Sequence, residues 1–339
     1  MSEHAHRRHG VAAEEDVGAL RRSVARLAAT QHGVRPGVAE LVATELGTNL
    51  LRHAVPGGYV LARRAGDGVE LISVDHGPGL PLGVLDARPT PSPPDPAPHR
   101  GRGMHAGLSV VRRQAAEFDC YSTRRGTVVY ARVGGPAPAD HGRWRFGGVN
   151  IPYGGDGESG DSWAVTADQT LAALVVDGLG HGPAAAVAAR AAVEVFERSP
   201  LTSPERFIQH AHEAMRTTRG GVLGMCVIDP TRGELVYAGV GNITGRVLTG
   251  SRNVHLLDRP GTLGTHLPLP STRLQHVPWE PGSALILVSD GIRSGWGLAD
   301  HPGLLGHHPA IVAAVLHRDH GRTNDDATVL VVHDKAGMP

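Results

Sequence analysis

Cysteine is nearly absent from this 339-residue chain, which carries only Cys120 and Cys226, far apart and each in an apolar or strand-like setting. That excludes a disulfide framework and a thiolate metal cluster, and it suits a reducing cytosol with both thiols as core fillers. Net charge is missing too. Lys plus Arg and Asp plus Glu both number 33, so the formal charge is +0 and no basic field is offered to nucleic acid or an anionic membrane. A protein or small-molecule partner is expected instead. No apolar run reaches transmembrane length, and residues 1–9 lack the apolar stretch of a signal peptide, so a soluble cytoplasmic protein is expected. The 21 histidines are scattered without His-Glu-x-x-His or paired Cys/His spacing, which reads most of them as surface or loop residues. A P-loop segment is also lacking. Any metal site must therefore be built from carboxylates.

The length suffices for two domains, each with its own core. From Glu14 to Ala29, apolar Val17, Leu20, Val24 and Leu27 recur at helical spacing. A second helix runs to about Ala54 and carries Glu45 and Asn49, four apart and so on one face. Such a pair is by itself more often solvated or capping. Two strands follow, Tyr59 to Arg63 and Val69 to Val74, ending in Asp75-His-Gly77-Pro-Gly79-Leu80. A Pro-rich stretch, Pro89 to Pro98, reads as a mobile loop. It leads into Gly101-Arg102-Gly103-Met-His-Ala-Gly107, a helix over Leu108 to Glu117, and strands near Cys120 to Ser122 and Thr127 to Val133.

That order of motifs, across roughly residues 14–133, resembles the GHKL ATP-binding (Bergerat) α/β sandwich, and within it the small switch and anti-sigma kinases of bacterial stress-response and sporulation pathways. The resemblance implies ATP with Mg²⁺. Asn49 would help bind the ion, Glu45 would orient or deprotonate the attacking hydroxyl, and Asp75 would accept the adenine amino proton. Gly77 and Gly79 would let the backbone pass close to the base, Gly101, Arg102, Gly103 and Gly107 would face the phosphates, and Thr127 would supply a hydroxyl near adenine. It also implies pairing into a homodimer.

Residues 134–142 have the Pro/Gly/Ala composition of a linker, with residues 1–13 read as a flexible N-terminus and 335–339 as a tail. From 143 to 334 short strands dominate, interrupted by two helices, Pro183 to Arg198 and Pro204 to Thr218, so a layered α+β domain is expected, two sheets flanked by helices. Asp161, Asp177 with Gly178, Asp290 and Asp325 each sit at a strand end beside a small residue. Any one alone reads as a turn former. Four carboxylates converging on one edge would repel severely, and two Mg²⁺ or Mn²⁺ ions, roughly 3.5–4 Å apart, would neutralise them, activate water and clamp phosphoryl oxygens.

This second half closely resembles the SpoIIE-like branch of the metal-dependent PPM protein phosphatases, with its α-β-β-α sandwich. The resemblance implies that Asp161, Asp177, Asp290 and Asp325 ligate metal, that Asp177 bridges both ions, and that Gly178 ligates through its carbonyl. Asp326 would support and His181 would lie behind the ligands. Arg143 and Arg145 are the candidates for holding the substrate phosphate, strand-edge solvation being the equal alternative. Together the halves imply a regulator of a partner-switching pathway: a phosphoserine/phosphothreonine phosphatase joined to an ATP-binding, kinase-like domain. Its partner would be a phosphorylated STAS-domain regulator or anti-anti-sigma factor. Two alternatives stay open: an ATP-dependent module that sequesters a sigma factor or regulator without transferring phosphate, and a purely structural β-rich scaffold.

Overall fold

A computed structural model of the chain describes residues 5–54, 57–81, 104–135, 142–250, 252–265 and 271–336, without the side chains of 104–106. The described chain falls into two compact units, one spanning Arg8–Ala139, the other Asp140–Pro339 with the N-terminal residues up to Arg7.

The first unit is organised by one five-stranded sheet. It contains β1 (Arg7–Val11), α1 (Glu14–Ala28), α2 (Val38–His53), β2 (Gly58–Ala65), β3 (Gly68–Asp75), α3 (Met104–Gln114), β4 (Glu117–Thr123) and β5 (Gly126–Val133), with strand order β1-β2-β3-β5-β4. α1 begins without a capping hydroxyl. Instead Asp16 Oδ2 accepts the amides of Ala12 and Ala13, both at 2.9 Å, which satisfies donors the helix itself leaves open. α1 buries Leu20 and Val24, and α2 buries Val42, Ala43, Leu46 and Leu50, against Val60, Ala62, Val69 and Leu71 of the sheet. That packing leaves the Glu45 and Asn49 positions off the fully buried stripe of α2.

The second unit is layered helix, sheet, sheet, helix. In order come β6 (Trp144–Ile151), β7 (Asp161–Ala167), β8 (Leu171–Gly178), α4 (Pro183–Arg198), α5 (Pro204–Met215), β9 (Gly221–Asp229), β10 (Glu234–Val240), β11 (Thr244–Thr249), β12 (Arg252–Leu256), β13 (Gln275–Pro278), β14 (Ala284–Val288), α6 (Pro309–His320) and β15 (Ala327–Asp334). Two antiparallel sheets, β13-β10-β9-β8-β7 and β12-β11-β14-β15-β6, enclose a core that includes Trp163, Tyr237, Leu285 and Leu330. α4 and α5 cover the outer face of the first sheet through Ala188, Ala192, Phe196 and Phe207. α6 covers the second, packing on β15 and β6.

Three differences from the sequence reading have physical causes. Part of the stretch read as flexible, 1–13, forms the edge strand β1, whose alternating half-exposed pattern is too short and polar to announce itself. Helix α6 was not expected because Ala310 to Leu316 are buried without a break, so no one-sided stripe exists. The helix expected over Leu108 to Glu117 ends at Gln114, and Glu117 already opens β4. The Pro-rich stretch 89–98, most of the linker, and Gly101, Arg102 and Gly103 lie outside the described residues.

Candidate functional site

In the first unit a solvent-open cleft of about 420 Å³ is lined by Leu46, Asn49 and Leu50 of α2, Ser73 and Asp75 of β3, Gly79 and Leu80 beyond it, Leu108 of α3, and Thr127 and Val129 of β5, with His53. Asp75 is held in place by its neighbours. Its Oδ1 accepts the Gly77 amide at 2.7 Å and the Thr127 amide at 3.1 Å. The Thr127 hydroxyl lies 3.0 Å from that of Ser122, which accepts the Leu80 amide at 2.7 Å. Ser122 was not singled out in the sequence, because a lone strand serine carries no signal. Gly79 turns with φ 83°, and a Cβ there would collide with the Thr123 carbonyl oxygen, so the glycine is required. Gly107 brings α3 onto α2: a Cβ on it would lie 2.9 Å from Glu45 Oε2 and 3.1 Å from Asn49 Oδ1. Asn49 Nδ2 is buried and has no hydrogen-bond partner among the described residues. A buried donor left unpaired is costly, and one lining a cleft points to a ligand that would accept from it.

In the second unit the acids gather where β7, β8, β14 and β15 begin or end. The register of β7 on β8 sets Asp161 directly opposite Asp177. Asp161 is 2% exposed, and its Oδ2 accepts the Ser289 hydroxyl at 2.6 Å. Ser289 in turn accepts the Thr328 amide at 2.9 Å, tying Asp161 to β15. Asp290 Oδ2 accepts from Asn242 Nδ2 at 2.9 Å. Asp326 is fixed by two backbone donors, the amides of Tyr153 at 2.7 Å and Gly160 at 2.8 Å, while its own amide donates to Asp325 Oδ1 at 3.0 Å. Gly178 lies under the first turn of α4, where a Cβ would collide with the Ala185 carbonyl oxygen.

Electrostatics tie these groups into one cluster. Burial first, then repulsion from Asp161, Asp290, Asp325 and Asp326, pushes Asp177 up to about 10. Burial, opposed by the Ser289 hydrogen bond and reinforced by Asp326, pushes Asp161 up to about 8. Asp325 is raised by burial and then by Asp290, and Asp326 by burial against the pull of its two amides. His181, whose ring centroid stands 5.0 Å from that of Tyr153, lowers both of the last two. Buried carboxylates in this number cannot all ionise without cations among them.

The donor set is all oxygen, which fits hard divalent ions such as Mg²⁺ or Mn²⁺. Among the described residues no three Asp, Glu, His or Cys side chains close tightly enough to enclose one ion by themselves. Such ions keep several waters and take backbone carbonyls, so fewer protein carboxylates per ion suffice.

One expectation is corrected here. Arg143, a candidate for the substrate phosphate, makes a two-pronged ion pair with Asp334, whose side chain is 0% exposed, with contacts of 2.7 and 2.8 Å. It is a structural residue. Arg145 lies across from His333 on β15, and burial followed by Arg145 holds that imidazole down to about 4. Among the described histidines, His6, His212, His301, His308 and His333 are buried. Among the described residues, no helix is long and apolar enough to cross a membrane.

A family model described as Stage II sporulation protein E (SpoIIE) matches residues 167–334. A solved structure described as "The bacterial stressosome: a modular system that has been adapted to control secondary messenger signaling" is 30% identical, the match covering 56% of this chain and 98% of that one, with a TM-score of 0.51. RsbX in complex with magnesium is 22% identical over 56% of this chain and 94% of its own, with a TM-score of 0.49. The RsbU and RsbW domains of a Mycobacterium tuberculosis protein are 18% identical over 58% and 62%, with a TM-score of 0.48. No curated protein sequence matches the chain.

Proposed function

Residues 167–334 belong to the SpoIIE family of PP2C-type protein phosphatases, and on that premise we propose that this chain removes phosphate from serine or threonine of a regulator protein in a bacterial partner-switching pathway. The observation that carries the reading is the set of four acids that repel Asp177. When bound, two Mg²⁺ or Mn²⁺ ions would supply Lewis-acid polarisation of a water and of the phosphoryl oxygens. Asp161, Asp177, Asp290 and Asp325, with the Gly178 carbonyl, would hold them. The chain's remaining contribution is positioning. Ser289 sets the rotamer of Asp161, Asn242 that of Asp290, and the Tyr153 and Gly160 amides that of Asp326. The likeness to a stressosome structure supports a phosphorylated STAS-domain regulator as the substrate. Release of phosphate from such a phosphoprotein, dependent on Mn²⁺ and lost in Asp177→Asn, tests the reading. Unchanged turnover in that variant would overturn it and favour the scaffold.

The first unit binds ATP with Mg²⁺ in a GHKL-type site, in the same proposal, and the Asn49 amide in the cleft, without a partner among the described residues, is the observation behind it. Asp75 would accept the adenine amino group, Asn49 would serve the ion and phosphates, and Glu45 would act as base toward a serine or threonine hydroxyl. Labelled ATP offered with a STAS-domain protein distinguishes kinase from binding module. Nucleotide bound without transfer leaves an ATP-dependent regulator-binding unit, and no binding removes the nucleotide site altogether.

A further inference from the structure

The phosphatase site as described consists of acids, and beside the cations it would hold, a guanidinium at its rim would add donors for a phosphoryl dianion. Arg143 is spent on Asp334. The register of β8 on β9 sets Asp177 opposite Val222 and Gly178 opposite Gly221. One step further the Leu179 amide donates to the Gly220 carbonyl at 3.0 Å, so the segment before β9 runs beside the loop that follows Asp177. Arg219 stands on that segment. Its Nη1 lies 3.2 Å from where a Cβ on Gly180 would sit, and Gly180 has φ 85°. The guanidinium is therefore laid against bare backbone three residues beyond Asp177 and next to His181.

Arg219 is exposed and has no ion pair or hydrogen bond from its side chain among the described residues. Arg216, three residues before it, is engaged with Glu213 at 3.4 Å. An exposed guanidinium without an acidic partner among the described residues is available to an anion.

We infer that Arg219 binds the phosphoryl group of the substrate at the mouth of the acid cluster, seated there by the missing side chain of Gly180. This rests on the phosphatase reading. A planar guanidinium presents paired donors that match two phosphoryl oxygens, which a point-charge ammonium does not. In that pose the outer oxygens of a phosphate monoester would meet the guanidinium while the acids face inward.

The test uses the full chain loaded with Mn²⁺. Inorganic phosphate is titrated calorimetrically into wild type, Arg219→Ala, Arg219→Lys and Arg216→Ala, and turnover of p-nitrophenyl phosphate is measured in parallel. Arg219→Ala is expected to weaken phosphate binding about tenfold and to raise KM by a similar factor with kcat within about threefold, as for removal of one charge-assisted hydrogen bond at an exposed site. Arg219→Lys recovers part of the affinity, and Arg216→Ala behaves as wild type. Equal phosphate affinity in wild type and Arg219→Ala, an equal weakening in Arg216→Ala, or no phosphate binding by wild type overturns the inference. The underlying reading fails separately, through Asp177→Asn keeping its Mn²⁺-dependent turnover.

Discussion

Replacing Asp177 by Asn should stabilise the metal-free protein while removing its activity. Asp177 and Asp161 face each other across an antiparallel pair, which places their Cβ atoms about 5 Å apart. Two charges at that distance repel by about 3 kcal/mol at an effective dielectric of about 20. Protonation relieves part of this, since both groups are raised, to about 10 and about 8. A net gain of about 1–2 kcal/mol remains for the isosteric amide, or about 2–8 °C in Tm for a unit of this size. The pH dependence has a definite sign. An acid whose folded pKa lies above its ordinary 3.8 stabilises fully below that value and loses the contribution as pH rises toward the folded pKa. Wild type in EDTA should therefore lose Tm between about pH 5 and pH 8, and Asp177→Asn should lose less. With Mn²⁺ at about a hundred times its dissociation constant, wild type gains about 2.7 kcal/mol and the variant much less. Melting followed by circular dichroism, in EDTA and in Mn²⁺ across this pH range, checks all of it. A variant less stable than wild type in EDTA, or equally stabilised by Mn²⁺, refutes the reasoning.

Arg143→Ala should lower stability by about 2–3 kcal/mol, because Asp334 stays buried with Trp279 Nε1 and the Ala336 amide as its remaining donors among the described residues, yet leave KM unchanged. Melting and steady-state kinetics separate the two. Gly178→Ala should cost more than about 3 kcal/mol, since its Cβ would collide with the Ala185 carbonyl oxygen and α4 would have to lift; loss of soluble, cooperatively melting protein is the readout. Asp75→Asn should weaken ATP binding by about tenfold or more with little change in Tm, measured with a fluorescent nucleotide, because the shape of the side chain is kept and its acceptor at the base is altered.

Strand-end acids were readable because an apolar run that stops at Asp-Gly, as at Val176-Asp177-Gly178 and Ser289-Asp290-Gly291, shows both the strand and its mouth. The residues that hold those acids were not. Ser289 and Asn242 are ordinary polar residues until the sheets bring them against Asp161 and Asp290. Arg219 is one of many arginines until the register of β8 and β9 lays it over Gly180. Helix α6 escaped for the opposite reason: it is apolar on every side, and periodicity detects only a helix with a wet face. In the first unit, Asn49, Asp75 and Thr127 share a cleft that no local pattern defines, since α2, β3 and β5 meet there only through the sheet order.

The two sites differ in how they await their ligands. In the second unit the acids are already held, by a hydroxyl, a side-chain amide and two backbone amides, so a cation meets a preorganised set and little side-chain freedom is lost on binding. The cost has been placed in repulsion among the acids instead. It follows that stability and activity should rise together along a Mn²⁺ titration, because the ion that completes the chemistry is the one that relieves the repulsion. In the first unit the cleft carries an Asn49 amide without a partner among the described residues rather than crowded charge, so nucleotide should add stability there without the steep pH dependence of the acid cluster. Melting with Mn²⁺ alone, and with ATP and Mg²⁺ at pH 6 and pH 8, would separate the two contributions by their pH response.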